Sequence, residues 1–217
     1  MSQAAKPAHQ FRSRKTRDKL LNALENLLHK HDFGDIGVSD IAKEAGVSPA
    51  SIYRRFDSKD GFIPVLFELY LARLSDVTQS DGAQLDIEGL DLRTVLVALA
   101  KVGITQIKSQ AHILRAIMLH GLRRAGLIEE YTEQYVEMTL HSMQGILAHF
   151  QADIHRKDID TAARMLAYYF NNILITRIIY AGYTPDFGLV LSDDEFAEEI
   201  ADFAYGYLTC GQSNKAD

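Results

Sequence analysis

The feature that most restricts the fold of this chain is a periodicity. Apolar residues recur every three to four positions in segment after segment, while alternation over four or more residues is almost absent. A period of 3.6 gathers such residues on one face of a helix, whereas a period of two would gather them on one face of a strand. The expected fold is all-α. Over residues 16–30, Leu20, Leu21, Leu24, Leu27 and Leu28 make one helical stripe. Two short helical pieces follow at 40–45 and 49–56, and a longer one at 59–77 places Phe62, Val65, Leu66 and Leu69 inward. Pro64 lies inside that pattern and has no N–H for the carbonyl of Asp60, which predicts a kink or a late start. Residues 79–91 are acidic and glycine-containing, with no stripe, and read as a surface loop. Helices are expected over 92–106 (Leu92, Val95, Leu96, Leu99 and Val102 inward), 111–124 and 128–150. The longest stripe runs from Ile159 through Ala162, Ala163, Leu166, Phe170, Ile173, Leu174 and Ile178 to Ala181. Ser192 and Glu195, three apart, can form a capping box for a last helix with Phe196, Ile200, Phe203, Ala204, Tyr207 and Leu208 on its apolar face.

Composition sets the class. With 217 residues, 47% apolar and 24% charged, the chain is neither disordered nor fibrous and can bury a core without staples. Its one cysteine, Cys210, excludes an intramolecular disulfide and a multi-cysteine metal site, and favours a reducing compartment. No run approaches the ~18 apolar residues of a membrane span, so a soluble, cytoplasmic protein with no membrane partner is expected. The net charge of −6 speaks against a polyanionic partner until it is divided by position. Residues 1–60 carry +3 and the remainder −9. Within the first 19 residues Lys6, Arg12, Arg14, Lys15, Arg17 and Lys19 oppose only Asp18. A basic arm ahead of an acidic body is the asymmetry of a chain that meets a polyanion at one end, although a solvated tail would have the same composition.

The most informative stretch is 38–56. Ser39 can cap a helix whose inward face is Ile41, Ala42 and Ala45, and Gly46 stands where that helix ends in a left-handed conformation. Ser48 can cap the next helix, with Pro49 in its first turn. Val47, Ile52 and Phe56 anchor it inward, so the pattern is a helix-turn-helix. The outward residues of the second helix are then Ala50, Ser51, Tyr53, Arg54 and Arg55. Small residues at a helix N-terminus let the backbone approach base edges, and hydroxyls and guanidiniums donate to phosphates and bases. A basic helical hairpin can also be a plain packing unit; the arm, the cap, the glycine and the outward basic face together favour duplex DNA.

The run Ile41-Ala42, Ala45-Gly46-Val47-Ser48, Ser51-Ile52-Tyr53, Phe56, Lys59 and Phe62 resembles the N-terminal domain of the tetracycline-repressor (TetR) family, over roughly residues 14–62. Beyond it only the succession of amphipathic helices agrees. The resemblance implies a homodimeric transcriptional regulator, usually a repressor, released from its operator by a small ligand. It implies that Ser39 and Lys59 touch phosphates and that Ser48, Ala50, Ser51, Tyr53 and Arg54 face the major groove. Arg14 and Arg17 would follow the backbone or minor groove. Ala50 departs from the glycine most often expected at its position.

The organisation expected is a basic flexible arm at 1–13, a helix-turn-helix domain at 14–60 and an effector-binding and dimerisation domain at 61–217. The apolar faces of the last two helices are the candidate dimer contact, with Ala163, Phe170, Ile178, Phe196, Ile200, Phe203 and Tyr207 in it, although the same faces could fill the monomer core. Polar residues set among the apolar stripes of 92–181 are candidates for an effector pocket: His112, His120, Tyr135 and His141 first, then Tyr168, Asn171, Asn172 and Arg177. An inward Arg177 would suit an anionic effector. A helical enzyme and an all-α protein-interaction module are the competing classes. The first lacks a His-Glu-x-x-His, a phosphate loop or a nucleophile motif, and the second leaves the basic arm without a role. His29 and His31 point to different faces, and His141 and His149 are too far apart for one ion, so neither metal nor cofactor is expected.

Overall fold

The computed structural model of the chain describes residues 6–79, 87–121 and 126–210, the side chains of 6–14 and 77–79 excepted. Among these residues there is no strand, and the all-α expectation holds. The helices are α1 (Lys6–Leu28), α2 (Val38–Ala45), α3 (Pro49–Tyr53), α4 (Phe62–Gln79), α5 (Leu92–Ser109), α6 (Ala111–Ala116), α7 (Glu129–His149), α8 (Ile159–Ile178) and α9 (Asp193–Thr209). A 3-10 turn at Lys59–Gly61 precedes α4, and a π-turn at Ile117–Gly121 follows α6. The chain divides into two compact units: Met1–Ala72 with His112–Tyr131, and Arg73–Ala111 with Thr132–Asp217. It crosses between them within α4, after the first residue of α6 and within α7.

In the N-terminal unit, Leu20, Leu24 and Leu28 of α1 are buried as the stripe requires, with Leu21 and Leu27 half-buried beside them. The helix begins earlier than the stripe does, at Lys6, and so takes in residues 6–13 of the segment 1–13 expected to be a flexible arm, whose first five residues lie outside the described ones. Pro64 produces a late start. The helix α4 opens at Phe62, so Pro64 sits in its first turn, where a missing N–H leaves no gap in the hydrogen-bond ladder. Phe56 stacks on Phe62 with ring centroids 4.0 Å apart, closing the end of the helix-turn-helix on the start of α4.

In the second unit α5 packs on α9 and α8, and α8 on α9. The inward stripe of α5 is Leu92, Val95, Leu96, Ala100, Ile104 and Ile107. Val102, expected inward, is exposed, because the helix extends to Ser109 and its best-fitting stripe passes through Ala100 and Ile104 instead. The α8 stripe ends at Ile178 and Ile179; Ala181, expected on the same face, is exposed in the turn that follows. Asp91 and Asp158 cap α5 and α8 by accepting the backbone N–H groups of Thr94 and Thr161 at 2.8 and 2.9 Å. The Ser192–Glu195 capping box is present as the spacing predicts, with the Ser192 N–H donating to Glu195 Oε2 at 2.8 Å and the Glu195 N–H to Ser192 Oγ at 3.3 Å. Most of the acidic loop at 79–91 lies outside the described residues.

Candidate nucleic-acid interface

The helix-turn-helix is built as its sequence requires at the turn. Gly46 is left-handed at φ 63°, ψ 40°, and the Val47 N–H donates to the Ala42 carbonyl at 2.9 Å, a bond that closes the end of α2 over that glycine. Ile41, Ala42 and Ile52 are buried and hold the two helices together, while Val47 and Phe56 are half-buried. Asn26 of α1 donates to Glu44 of α2 at 3.3 Å.

The caps differ in detail. Gly37, not Ser39, is the N-cap of α2; its N–H donates to Asp40 Oδ2 at 2.8 Å, and Ser39 becomes an exposed residue of the first turn. The extended φ of −85° at Gly37 is open to many residues, so no sequence rule singles it out. Ser48 does stand at the N-cap of α3, with Pro49 after it, but its hydroxyl makes no capping bond. It meets Ser51 Oγ at 3.0 Å, and Ser51 Oγ in turn accepts from Arg54 Nη2 at 3.1 Å. Positions 48, 51 and 54 lie on one helical face, so the three side chains form a polar ladder that lays the guanidinium back along α3. Ala50, Arg54 and Arg55 are exposed, Ser51 is half-buried, and Tyr53 is 58% exposed beside them.

Lys59 has a different position from the one expected. Its ammonium donates to the carbonyls of Phe33 at 2.7 Å, Gly34 at 3.0 Å and Ile36 at 2.9 Å, and lies 4.8 Å from the centroid of the Phe33 ring. An ammonium has three N–H groups and here all three point inward. Lys59 is therefore a clamp on the loop between α1 and α2, with no donor left for a phosphate. Arg17, expected on the DNA backbone, is ion-paired with Glu68 of α4, and the side chain of Arg14 lies outside the described residues.

The expected effector residues fall in both units. His112 and His120 belong to the N-terminal unit, where they line a shallow pocket with Leu28, Phe33 and Arg115. In the second unit the Tyr135 hydroxyl donates to Asn171 Oδ1 at 2.7 Å in a half-buried pair. His141 and Asn172 are exposed, and Tyr168 is 67% exposed: a polar residue in an amphipathic helix faces water by default. Asn172 instead donates to the carbonyl of Tyr168 at 2.8 Å. Arg177 is half-buried and engaged, donating to the Leu191 carbonyl at 2.6 Å with its guanidinium carbon 4.1 Å from the Phe196 ring centroid. It pins the segment between α8 and α9. Sequence reasoning missed Gln110, which is 5% exposed with its Oε1 unpartnered in the protein; nothing in a lone glutamine at a helix end signals burial.

Of the expected dimer residues, Ala163, Phe170, Phe196 and Ile200 are buried inside the chain. They fill its own core, because α5 covers the faces of α8 and α9 that the apolar stripes mark. Ile178 and Tyr207 are half-buried, the latter under the Arg156 guanidinium at 4.0 Å. Phe203 is 72% exposed, as are Met165 and Tyr168 in large part.

Comparison with known proteins agrees with this geometry. Residues 20–64 match the family described as bacterial regulatory proteins, tetR family. An uncharacterized HTH-type transcriptional regulator of Mycobacterium tuberculosis, Rv1255c, is 46% identical over 43 residues, which are 20% of this chain and 21% of that protein. The likeness to that relative thus spans about a fifth of its length. Solved structures extend the likeness in fold to most of the chain. A putative tetR-family transcriptional regulator from Mesorhizobium loti superposes with a TM-score of 0.62 at 20% identity, covering 89% of this chain and 95% of that one. NalD, the secondary repressor of the MexAB-OprM multidrug efflux pump in Pseudomonas aeruginosa, does so with a TM-score of 0.59 at 20% identity, covering 91% and 97%.

Proposed function

Because the chain belongs to the tetR family of bacterial regulatory proteins and carries its DNA-binding helix-turn-helix, we propose that it represses transcription as a homodimer on a palindromic operator and is released by a small-molecule effector. In this reading residues 14–60 bind DNA and residues 61–217 carry dimerisation and effector binding. The observation that carries it is the outer face of α3, where Ser48, Ser51 and Arg54 form a bonded ladder next to the exposed Tyr53 ring. A guanidinium held in place loses less freedom on meeting a base edge or phosphate than a free one. Ala50, Arg55 and Ser39, all exposed, complete the contact surface.

One recognition helix makes few contacts, and two such helices about 34 Å apart read successive major grooves of a palindrome. Phe203, Met165 and Tyr168, apolar or aromatic and exposed on α9 and α8, are the side chains we assign to the contact between two copies. The half-buried Tyr135–Asn171 pair and the buried Gln110 are the polar groups we assign to effector recognition. Such a regulator works beside the chromosome, in the cytoplasm, and none of the described helices is long and apolar enough to cross a membrane.

Footprinting on the DNA upstream of the chain's own coding sequence tests the reading. The wild type should protect a palindromic segment, and the double variant Tyr53→Ala/Arg54→Ala should lose it while keeping its helical circular dichroism. Equal protection by that variant would remove α3 as the reading element.

A further inference from the structure

Outside the DNA-facing surface, the N-terminal unit holds a cluster of three metal-ligating side chains drawn from two helices. Glu25 lies in the last turns of α1, and His29 follows one helical turn later, on the same side. His112 is the second residue of α6. One ligand atom from each, a Glu25 carboxylate oxygen and a nitrogen of each imidazole, lies within 4.8 Å of the others. The imidazoles of His29 and His112 have their centroids 3.8 Å apart, and His112 Nε2 is 3.2 Å from Glu25 Oε1. Only 11% of the His112 side chain and 16% of the Glu25 side chain reach solvent, whereas His29 is exposed. Two of the ligands are therefore fixed by packing and the third closes over them from the surface.

We propose that Glu25, His29 and His112 bind one divalent transition-metal ion of the zinc class. Two imidazoles and a carboxylate suit zinc and its neighbours, and not magnesium or calcium, which take oxygen ligands. With metal–ligand bonds of about 2.0–2.2 Å, the donors of a tetrahedral ion stand about 3.3–3.5 Å apart. The 3.2 Å between Glu25 and His112 is already close to that edge, and rotation of the exposed His29 side chain completes the face. Water takes the fourth position. The ion ties the end of α1, the helix that packs on the helix-turn-helix, to α6 at the residue where the chain re-enters this unit. The site depends only on these three side chains, whatever the chain binds through α3.

Titration calorimetry of the full chain with zinc chloride tests this, with cobalt(II) absorption as a second readout. The wild type should take up one ion per chain, and cobalt should give visible bands of tetrahedral intensity. His29→Ala, at an exposed position, should keep the wild-type circular dichroism, weaken zinc binding at least about tenfold, and abolish the cobalt bands. Glu25→Gln, which keeps the side chain's size, should weaken zinc binding by a similar factor. Zinc affinity equal in the wild type and His29→Ala, or cobalt spectra without tetrahedral bands in the wild type, would overturn the assignment.

Discussion

Lys59 in the N-terminal unit and Arg93 in the second unit are both cations in fixed places, yet they are fixed differently. Lys59 spends its three N–H groups on the backbone carbonyls of Phe33, Gly34 and Ile36, joining the turn before α4 to the loop between α1 and α2 through uncharged acceptors. Arg93 donates to both oxygens of Asp202, at 2.6 and 3.1 Å, on the open surface where α5 meets α9. Lys101–Asp194 and Lys108–Asp193 repeat that arrangement between the same helices. The difference teaches what the acidic residues of 61–217 are used for. Carboxylates among them cap helices, as Asp91, Asp158 and Glu195 do, or staple α5 to α9 against matching cations. In the N-terminal unit the cations Arg54 and Arg55 stay at the surface, while Lys59 and Arg17 are turned to structural use.

This contrast can be broken by substitution. Lys59→Met strips three charge-assisted bonds from carbonyls that are partly out of water, and should cost about 3 kcal/mol in urea unfolding. Its effect on DNA affinity should disappear once the fraction folded is corrected for, because the ammonium is held by three carbonyls of its own chain. Ser192→Ala removes the hydroxyl half of the α9 capping box and should cost about 1 kcal/mol.

Acid should act on the second unit first. The Thr94 N–H holds Asp91 below the ordinary carboxylate range, the Thr161 N–H does so for Asp158, and Arg164 does so for Asp160. The Ser192 hydroxyl lowers Glu195, and the Arg93 side chain lowers Asp202. Each has a folded value below its unfolded one. Its contribution is thus complete above the unfolded values, 3.8 for Asp and 4.5 for Glu, and is lost as pH falls through the lower folded values. Hydrogen exchange followed as pH falls below about 4.5 should show α5, α8 and α9 opening before α1 and α2. Arg93→Met should do least of all, shifting the urea midpoint barely, since an exposed pair is screened by water and salt.

What could be read from the sequence follows the range of the interaction behind it. Periodicity and turn chemistry are local, so the all-α fold, the left-handed Gly46, Pro49 in the first turn of α3 and the Ser192–Glu195 box were legible. Gly46 was legible because few other residues accept a positive φ without strain. The ends of helices were less so, as α1 shows by continuing to Lys6 without any apolar stripe. What a side chain meets across the fold was not legible. Lys59 reads as a phosphate ligand until three carbonyls 23 to 26 residues away are seen to hold it. Ala163, Phe170, Phe196 and Ile200 read as a dimer face because an apolar stripe does not say whether it meets α5 of its own chain or a second copy. Likewise no spacing in the sequence brings Glu25, His29 and His112 together, since His112 lies 83 residues beyond His29.

The most direct test compares one exposed arginine from each unit. Operator affinity by fluorescence anisotropy would be measured for the wild type, Arg54→Ala and Arg164→Ala, the last removing a cation paired with Asp160 at 2.8 Å on α8. Loss of one base or phosphate contact should weaken Arg54→Ala by about tenfold or more and make its salt dependence shallower, while Arg164→Ala binds as the wild type does. Equal losses in the two variants, or none in Arg54→Ala, would contradict the assignment of DNA reading to the outer face of α3.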